Sequence, residues 1–206
     1  ASGSAMYMPM GPQRFRDYSR FTFSPDGSRL ALFSGRHKSI QLWNTGTNGE
    51  VNTLKGGIDR VVHSGVNNRF AYSPDGSRLA HSGNRTIRLW DTLTGDELMA
   101  SDTATGHLAG EKFDLLPSPI AFSPDGSILA WTTEDGDVRF CDTATGQEEI
   151  FTHGHGQTIL GLAFSPDGER LAQAGNGNIS IWSVKSGEEI ATYGDADRVD
   201  RIYSIA

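Results

Sequence analysis

The sequence is poor in several features that would define a class of function. Its 206 residues include a single cysteine, Cys141, so neither an intramolecular disulfide nor a cysteine-based zinc site can form. It has no run of about 18 apolar residues, which argues against a membrane-spanning helix. Basic residues are outnumbered, with 18 Lys and Arg against 25 Asp and Glu. Since phosphates are bound mainly by Lys and Arg, this balance argues against a nucleic-acid or anionic-membrane surface.

The first residues lack the basic stretch and apolar core of a secretory signal peptide. We interpret residues 1–17 as an N-terminal lead that derives partly from expression rather than from the folded protein. Together with the single cysteine, this predicts a cytoplasmic location.

Glycine is the residue in excess, with 25 against only 8 prolines. Glycine makes up about 7% of the residues of an average protein, so this excess indicates many turns. The absence of a Gly-X-Y period excludes collagen. The hydrophobic share of 36% is enough for a buried core. These values predict a globular chain with frequent turns.

Two phrases recur four times, which identifies a repeat protein. The first reads FSPDGSRLA, or a close variant, and occupies 23–31, 72–80, 122–130 and 164–172. The second, typified by TIRLWDTLTGDE, occupies 39–50, 86–97, 137–148 and 178–189. Because both phrases recur together at a nearly constant offset, we treat each pair as one structural unit.

Each unit predicts a small antiparallel sheet. Apolar residues alternate in Ile87-Arg88-Leu89-Trp90, the period of two typical of a strand. The Ser-Pro-Asp-Gly core is turn chemistry, because Pro fixes one dihedral, Asp caps the turn and Gly adopts a positive φ. A second, Gly-containing turn precedes a fourth strand. No segment shows a sustained helical period, so we predict an all-β fold with almost no helix.

These residues resemble the WD-repeat (WD40) β-propeller family. The resemblance lies in the unit length, the Ser-Pro-Asp-Gly turn and the Leu89-Trp90-Asp91 ending of the third strand. It implies a propeller segment over 18–206, with four four-stranded antiparallel blades beginning near 18, 66, 118 and 159 and the first strand of a fifth at 199–206. It also implies structural roles for a set of residues in the blades: Trp43, Trp90, Asp91, Asp142, His155 and Trp182.

Three arrangements of these four blades remain open. The chain is part of a longer propeller, or half of a ring that dimerises into eight blades, or a closed four-bladed ring. Propellers have 4–8 blades, and an open arc would leave apolar surface and strand edges exposed. We therefore expect either a homo-oligomer or the remaining blades of a parent propeller.

Two clusters could be considered as metal sites, and neither is favoured. His153 and His155, with Asp167 or Glu169, offer ligands whose convergence the sequence does not establish. The acidic run 134–137 could hold calcium, but Asp-Gly between two strands is ordinary hairpin chemistry. No catalytic constellation stands out, so we predict no metal, no cofactor and no enzyme activity.

The predicted function is a non-enzymatic scaffold that binds a protein or peptide on its rim loops, with no nucleic-acid or membrane partner. Members of the resembled family bind partners mainly on the face formed by the connections between strands two and three and between successive blades. Here those connections offer side chains of both charge signs: Arg36, His37, Asp59, Arg60, Arg85, Glu134, Asp135 and Asn176. The alternatives are a self-assembling module, a fragment of a larger multidomain protein, or an enzyme that uses the central channel. The enzyme is disfavoured because the equivalent first-strand positions carry small, inert residues: Thr22, Ala71, Ala121 and Ala163.

Overall fold

The structure is a computed structural model that describes residues 18–34, 39–47, 49–54, 68–83, 85–103, 118–152, 159–175 and 177–194. Within these ranges all regular structure is β-strand, and there is no helix. The first eight strands are β1 (Tyr18–Phe23), β2 (Arg29–Ser34), β3 (Ser39–Asn44), β4 (Gly49–Leu54), β5 (Asn68–Tyr72), β6 (Arg78–Gly83), β7 (Thr86–Asp91) and β8 (Glu97–Asp102). The other eight are β9 (Ile120–Phe122), β10 (Ile128–Thr132), β11 (Val138–Asp142), β12 (Glu148–Thr152), β13 (Gly161–Phe164), β14 (Arg170–Gly175), β15 (Asn178–Ser183) and β16 (Glu189–Gly194).

The strands form four separate four-stranded sheets, and each sheet holds four consecutive strands in chain order. All pairings are antiparallel. We name the sheets blade 1 (β1–β4), blade 2 (β5–β8), blade 3 (β9–β12) and blade 4 (β13–β16). The all-β fold of four four-stranded antiparallel blades is thereby confirmed. The strand predicted for 199–206 lies outside the described residues.

The Ser-Pro-Asp-Gly turn joins the first and second strands of every blade, as predicted. In blade 2, Ser73 Oγ donates to Asp75 at 2.6 Å, and the amide of Ser77 donates to the same carboxylate at 3.0 Å. Gly76 has a φ of 71°, a left-handed conformation that glycine adopts without strain. The hydrogen bonds from Ser73 and Ser77 lower the pKa of Asp75 to about 2.

The core lies between blades. Phe33, Ile40 and Leu42 of blade 1 form one buried cluster with Leu79 and Trp90 of blade 2. The next two boundaries have equivalent clusters. A blade packs one face against the blade before it and the other against the blade after it. The burial of its residues therefore depends on having neighbours on both sides.

The blades follow one another in an arc. Contacts between first strands run from β1 to β5, from β5 to β9 and from β9 to β13. Among the described strands, no contact of comparable extent joins β13 back to β1. Within the described residues, the blades therefore form an arc whose first and last sheets do not contact each other to this extent.

Two unusual residues fill second-strand positions inside this core. His81 is buried between blades 1 and 2, with its ring 4.8 Å from that of Phe70 and 5.8 Å from that of Phe33. Trp131 and Cys141 are both fully buried in the cluster between blades 2 and 3. The large indole and the small thiol thus share one buried cluster.

Candidate interaction surface

The predicted rim residues are only partly within the described structure. Arg85, Glu134 and Asp135 lie in turns between the second and third strands of blades 2 and 3. The other predicted rim residues lie outside the described ranges: Arg36, His37, Asp59, Arg60 and Asn176.

An ion pair connects the rim turns of blades 2 and 3. Arg85 Nη2 lies 2.7 Å from Glu134 Oε2, and both side chains are partly exposed. Arg85 has a φ of 62°, which is uncommon for a residue with a side chain. Arg85 thus has this backbone conformation in the turn from which its guanidinium reaches blade 3.

The backbone reinforces this connection through Thr103, which follows the last strand of blade 2. The amide of Thr103 donates to the carbonyl of Arg85 at 2.8 Å, and the amide of Glu134 donates to the carbonyl of Thr103 at 3.1 Å. Thr103 itself is buried. The two rim turns are therefore joined by a chain of backbone bonds beneath a surface ion pair.

The acidic run 134–137 forms a turn. The amide of Thr133 donates to the carbonyl of Asp137 at 2.9 Å, and Gly136 has a φ of 84°. The carboxylate of Glu134 is engaged by Arg85, while Asp135 is partly exposed. In the described part of the chain, His, Cys, Asp and Glu form no group of three suited to holding a metal ion.

Two arginines on the first strands are features that the sequence analysis missed. Arg20 and Arg69 both precede a Phe in equivalent positions of β1 and β5. Burial, and secondarily the positive charge of Arg20, lowers the pKa of Arg69. Arg69 Nη2 donates to the carbonyl of Leu160, beside β13, at 3.3 Å. The repeated Arg-Phe pair was the signal that could have identified them.

The residues predicted to be structural occupy the blades. Trp90 is fully buried, Trp43 is buried, and Trp182 is only partly buried. Asp91 and Asp142 each accept two backbone N–H bonds in the turn that follows the third strand, at 2.8 to 3.0 Å. His155 lies outside the described residues.

Comparison with known proteins identifies the repeats. The family model described as "WD domain, G-beta repeat" matches residues 51–91 and 147–183. A guanine nucleotide-binding protein subunit beta from Oryza sativa subsp. japonica is 29% identical over 124 residues, covering 58% of this chain and 31% of the relative. Coronin-7 from Bos taurus is 35% identical over 109 residues, covering 50% of this chain and 11% of the relative. Apoptotic protease-activating factor 1 from Homo sapiens is 29% identical over 120 residues, covering 54% of this chain and 9% of the relative.

The four-stranded units, their turns and these matches define a β-propeller segment of the WD type. The chain carries WD repeats at these two matched positions. The alignments span less than a third of the length of each of these three relatives. The described residues contain no helix with the length and apolar character needed to cross a membrane.

Proposed function

We propose that this protein is a non-enzymatic scaffold that binds a protein or peptide partner on the rim that carries Arg85, Glu134 and Asp135. The observation that carries the proposal is the Arg85–Glu134 ion pair, which joins the rim turns of two successive blades. Function in a propeller resides in its loops rather than in the fold itself.

A rim held in this way favours binding because little conformational freedom is lost when the partner docks. The backbone bonds through Thr103 fix the spacing of the two turns. The ion pair leaves charged atoms of both signs partly exposed, together with the carboxylate of Asp135. Such a mixed surface suits a partner with alternating charges and supplies specificity more than affinity.

The first-strand positions support binding over catalysis. Thr22, Ala71, Ala121 and Ala163 are half-buried and carry no group able to act as a general acid or base. The rice relative is named as a subunit, which fits a role in assembly. A cytoplasmic location and the lack of nucleic-acid and membrane partners remain predictions from composition.

The rim assignment is tested with two charge variants, of which only the double variant keeps an ion pair between positions 85 and 134. The double variant R85E/E134R exchanges the two charges, and the triple variant R36E/R60E/R85E reverses the wider predicted surface. Each variant is used as bait for partners of the unaltered chain. We expect both to lose the captured partner, while Asp96→Lys, in an exposed turn between the third and fourth strands of blade 2, retains it. Unchanged capture by both rim variants would exclude this surface.

A second candidate function, self-assembly, is favoured by the outer strands of blade 4. Residues of β15 are all partly exposed, whereas the equivalent strands β3 and β7 hold three buried residues each. A propeller blade normally has neighbours on both faces, whereas blade 4 has a neighbouring blade on only one face within the described structure. The same surface would suit the following blade of a longer protein, which is the fragment alternative.

A further inference from the structure

Successive blades contact each other through the same two elements. A Cβ placed on Gly76 of blade 2 would lie 3.7 Å from Pro25 Cδ of blade 1, and one on Gly126 would lie 3.5 Å from Pro74 Cδ. The pair Gly168 and Pro124 repeats this contact at 3.5 Å. The turn proline of each of the first three blades therefore packs against the turn glycine of the next blade.

A polar contact accompanies this packing at the first boundary. Arg29 of blade 1 donates from Nη1 to Thr92 Oγ1 of blade 2 at 2.9 Å. Thr92 and its equivalent in blade 3, Thr143, are both buried. We call the side that offers Pro and Arg the trailing face of a blade, and the side that offers Gly and Thr its leading face.

Within the described residues, the trailing face of blade 4 is uncovered. Tyr193 is 63% exposed, whereas Leu54, Ser101 and Thr152 in the equivalent positions of the other blades are 3 to 8% exposed. Ser165, in the Pro166 turn, is partly exposed, although its three counterparts are buried: Ser24, Ser73 and Ser123. A hollow beside this turn is lined by Arg170, Val184, Lys185 and Ile190, among other residues.

The leading face of blade 1 shows the complementary pattern. A Cβ on Gly27 would meet nothing within 4 Å in the described structure. Thr45, the equivalent of Thr92, is partly exposed. Phe21 and Phe23 are 70% and 56% exposed, while their equivalents in blade 2, Phe70 and Tyr72, pack against the core of blade 1.

We propose that the leading face of blade 1 in a second copy packs on the trailing face of blade 4, and reciprocally. In this interface Pro166 packs against Gly27 of the other copy. Arg170 donates a hydrogen bond to Thr45 of that copy, and Tyr193 packs against its Phe23. This proposal rests on the second candidate function, self-assembly, and does not depend on the rim surface.

The occupant is a second copy because one chain carries both halves of the interface. In the part of the chain that the structure describes, the Pro and Arg half is uncovered on blade 4 and the Gly and Thr half on blade 1. Two copies placed head to tail about a two-fold axis form both contacts at once and leave neither face open. The resulting ring has eight blades, within the range of known propellers.

The first test is the mass of the 206-residue chain in solution, measured by sedimentation at about 1 to 50 μM, the range in which micromolar contacts are populated. We expect a dimer of twice 22.3 kDa. Tyr193→Asp and Phe23→Asp place a charge on the trailing and leading faces, respectively, and each should weaken association at least about tenfold. Leu93→Asp is the matched control, because Leu93 is 74% exposed in a turn of blade 2, outside the two faces of the proposed interface.

A cross-link gives a second measurement that does not depend on destabilising the interface. A Cβ on Gly76 lies 3.8 Å from Ser24 Cβ, which is within disulfide range. The equivalent intermolecular pair is Gly27 and Ser165. A mixture of G27C and S165C chains should give a disulfide-linked dimer on mild oxidation, whereas G27C mixed with S127C should not, because Ser127 lies in the turn of blade 3.

The outcomes separate the proposals. A monomer throughout the concentration range overturns this interface, as does a dimer that neither Tyr193→Asp nor Phe23→Asp weakens and that the G27C and S165C pair does not cross-link. A dimer that persists in those variants would leave self-assembly standing through another surface. The rim variant R85E/E134R should leave the mass unchanged, so a failed rim proposal is recognised independently.

Discussion

The guanidinium of Arg85 in blade 2 lies 2.7 Å from the carboxylate of Glu134 in blade 3. The two residues are 49 positions apart in the chain, about one repeat, and each lies in the turn between the second and third strands of its blade. The contact therefore links the same element of two successive repeats, and it marks the rim on which we propose that a partner binds.

The Arg85–Glu134 pair should contribute little to stability despite its good geometry. Both side chains are partly exposed, so solvent screens their attraction, and exposed pairs are worth about 0.2–1 kcal/mol. A double-mutant cycle with Arg85→Ala and Glu134→Ala, measured by urea unfolding, should give a coupling in this range that decreases with added salt. A coupling far above it would mean that the pair is shielded from water.

Acid sensitivity near neutral pH should depend on His81. Burial, and to a smaller extent the positive charge of Arg88, lowers the pKa of His81 from 6.5 to about 3. The unfolded state then binds a proton below pH 6.5 that the folded state does not bind. The free energy of unfolding should consequently fall as pH decreases from about 6.5 towards 4, by up to about 1.4 kcal/mol per pH unit.

His81→Leu is the matched variant, because the equivalent residue of blade 1 is the buried Leu32. The free energy of unfolding of both proteins is measured as a function of pH. The difference between the two profiles isolates the contribution of His81 from those of the other histidines. Equal pH slopes in the two proteins would show that His81 binds its proton equally well in the folded and unfolded states, which would contradict the lowered pKa. The turn carboxylates act in a lower range, since the pKa of Asp26 and that of Asp75 are lowered from 3.8 to about 2.

Equivalent tryptophans should differ in their contribution to stability. Trp90 is fully buried between two blades, and Trp182 is partly exposed. Trp90→Ala should cost about 3–5 kcal/mol through lost contacts and an unfilled cavity. Trp182→Ala should cost roughly 1–2 kcal/mol, because Trp182 buries less apolar surface on folding than Trp90 does. Chemical unfolding of both variants at one protein concentration compares them directly, and equal losses would contradict the difference in burial.

Two glycines in equivalent turns form a matched pair for steric tests. Gly146 and Gly187 have φ values of 72° and 69°, so alanine carries the same left-handed backbone cost at both. A Cβ at Gly146 would lie 3.0 Å from the carbonyl oxygen of Leu98, whereas at Gly187 its nearest neighbour is the carbonyl oxygen of Phe151 at 3.7 Å. Gly146→Ala should therefore lower the melting temperature further than Gly187→Ala. The reverse order would place the steric limit elsewhere.

The thiol of Cys141 should be inert in the folded protein. Its side chain is fully buried, and burial, followed by the charges of Glu148 and Asp142, raises its pKa to about 11. A thiolate is the reactive form, so reaction with a thiol-specific disulfide reagent should be slow at pH 8 and complete only after denaturation. Rapid reaction of the native protein would indicate that blades 2 and 3 separate readily.

Local structure was largely predictable from the sequence. The Ser-Pro-Asp-Gly phrase specifies its own turn, because Ser73, Asp75 and Gly76 supply the hydroxyl, the carboxylate and the positive φ within five residues. The alternation in Ile87-Arg88-Leu89 likewise identified β7, in which Ile87 and Leu89 are buried and Arg88 between them is partly exposed.

The candidate site was less predictable. The rim position of Arg85 and Glu134 followed from the repeat, but their ion pair did not, because residues in different repeats meet only when blades pack side by side. The pairing of Arg69 with the carbonyl of Leu160 spans 91 positions and has no local signature. Contacts of this kind depend on the orientation of whole sheets.

The two phrases and the period of two are local properties of the chain, and they are enough to specify a repeat protein of four turn-linked antiparallel blades. Which copies of a repeated residue are buried depends instead on how the blades pack. Leu54 and Tyr193 occupy equivalent strand positions, yet one is 3% and the other 63% exposed. The reason is that a blade buries a face only against its neighbour, and within the described structure blade 1 has one on its trailing side whereas blade 4 does not.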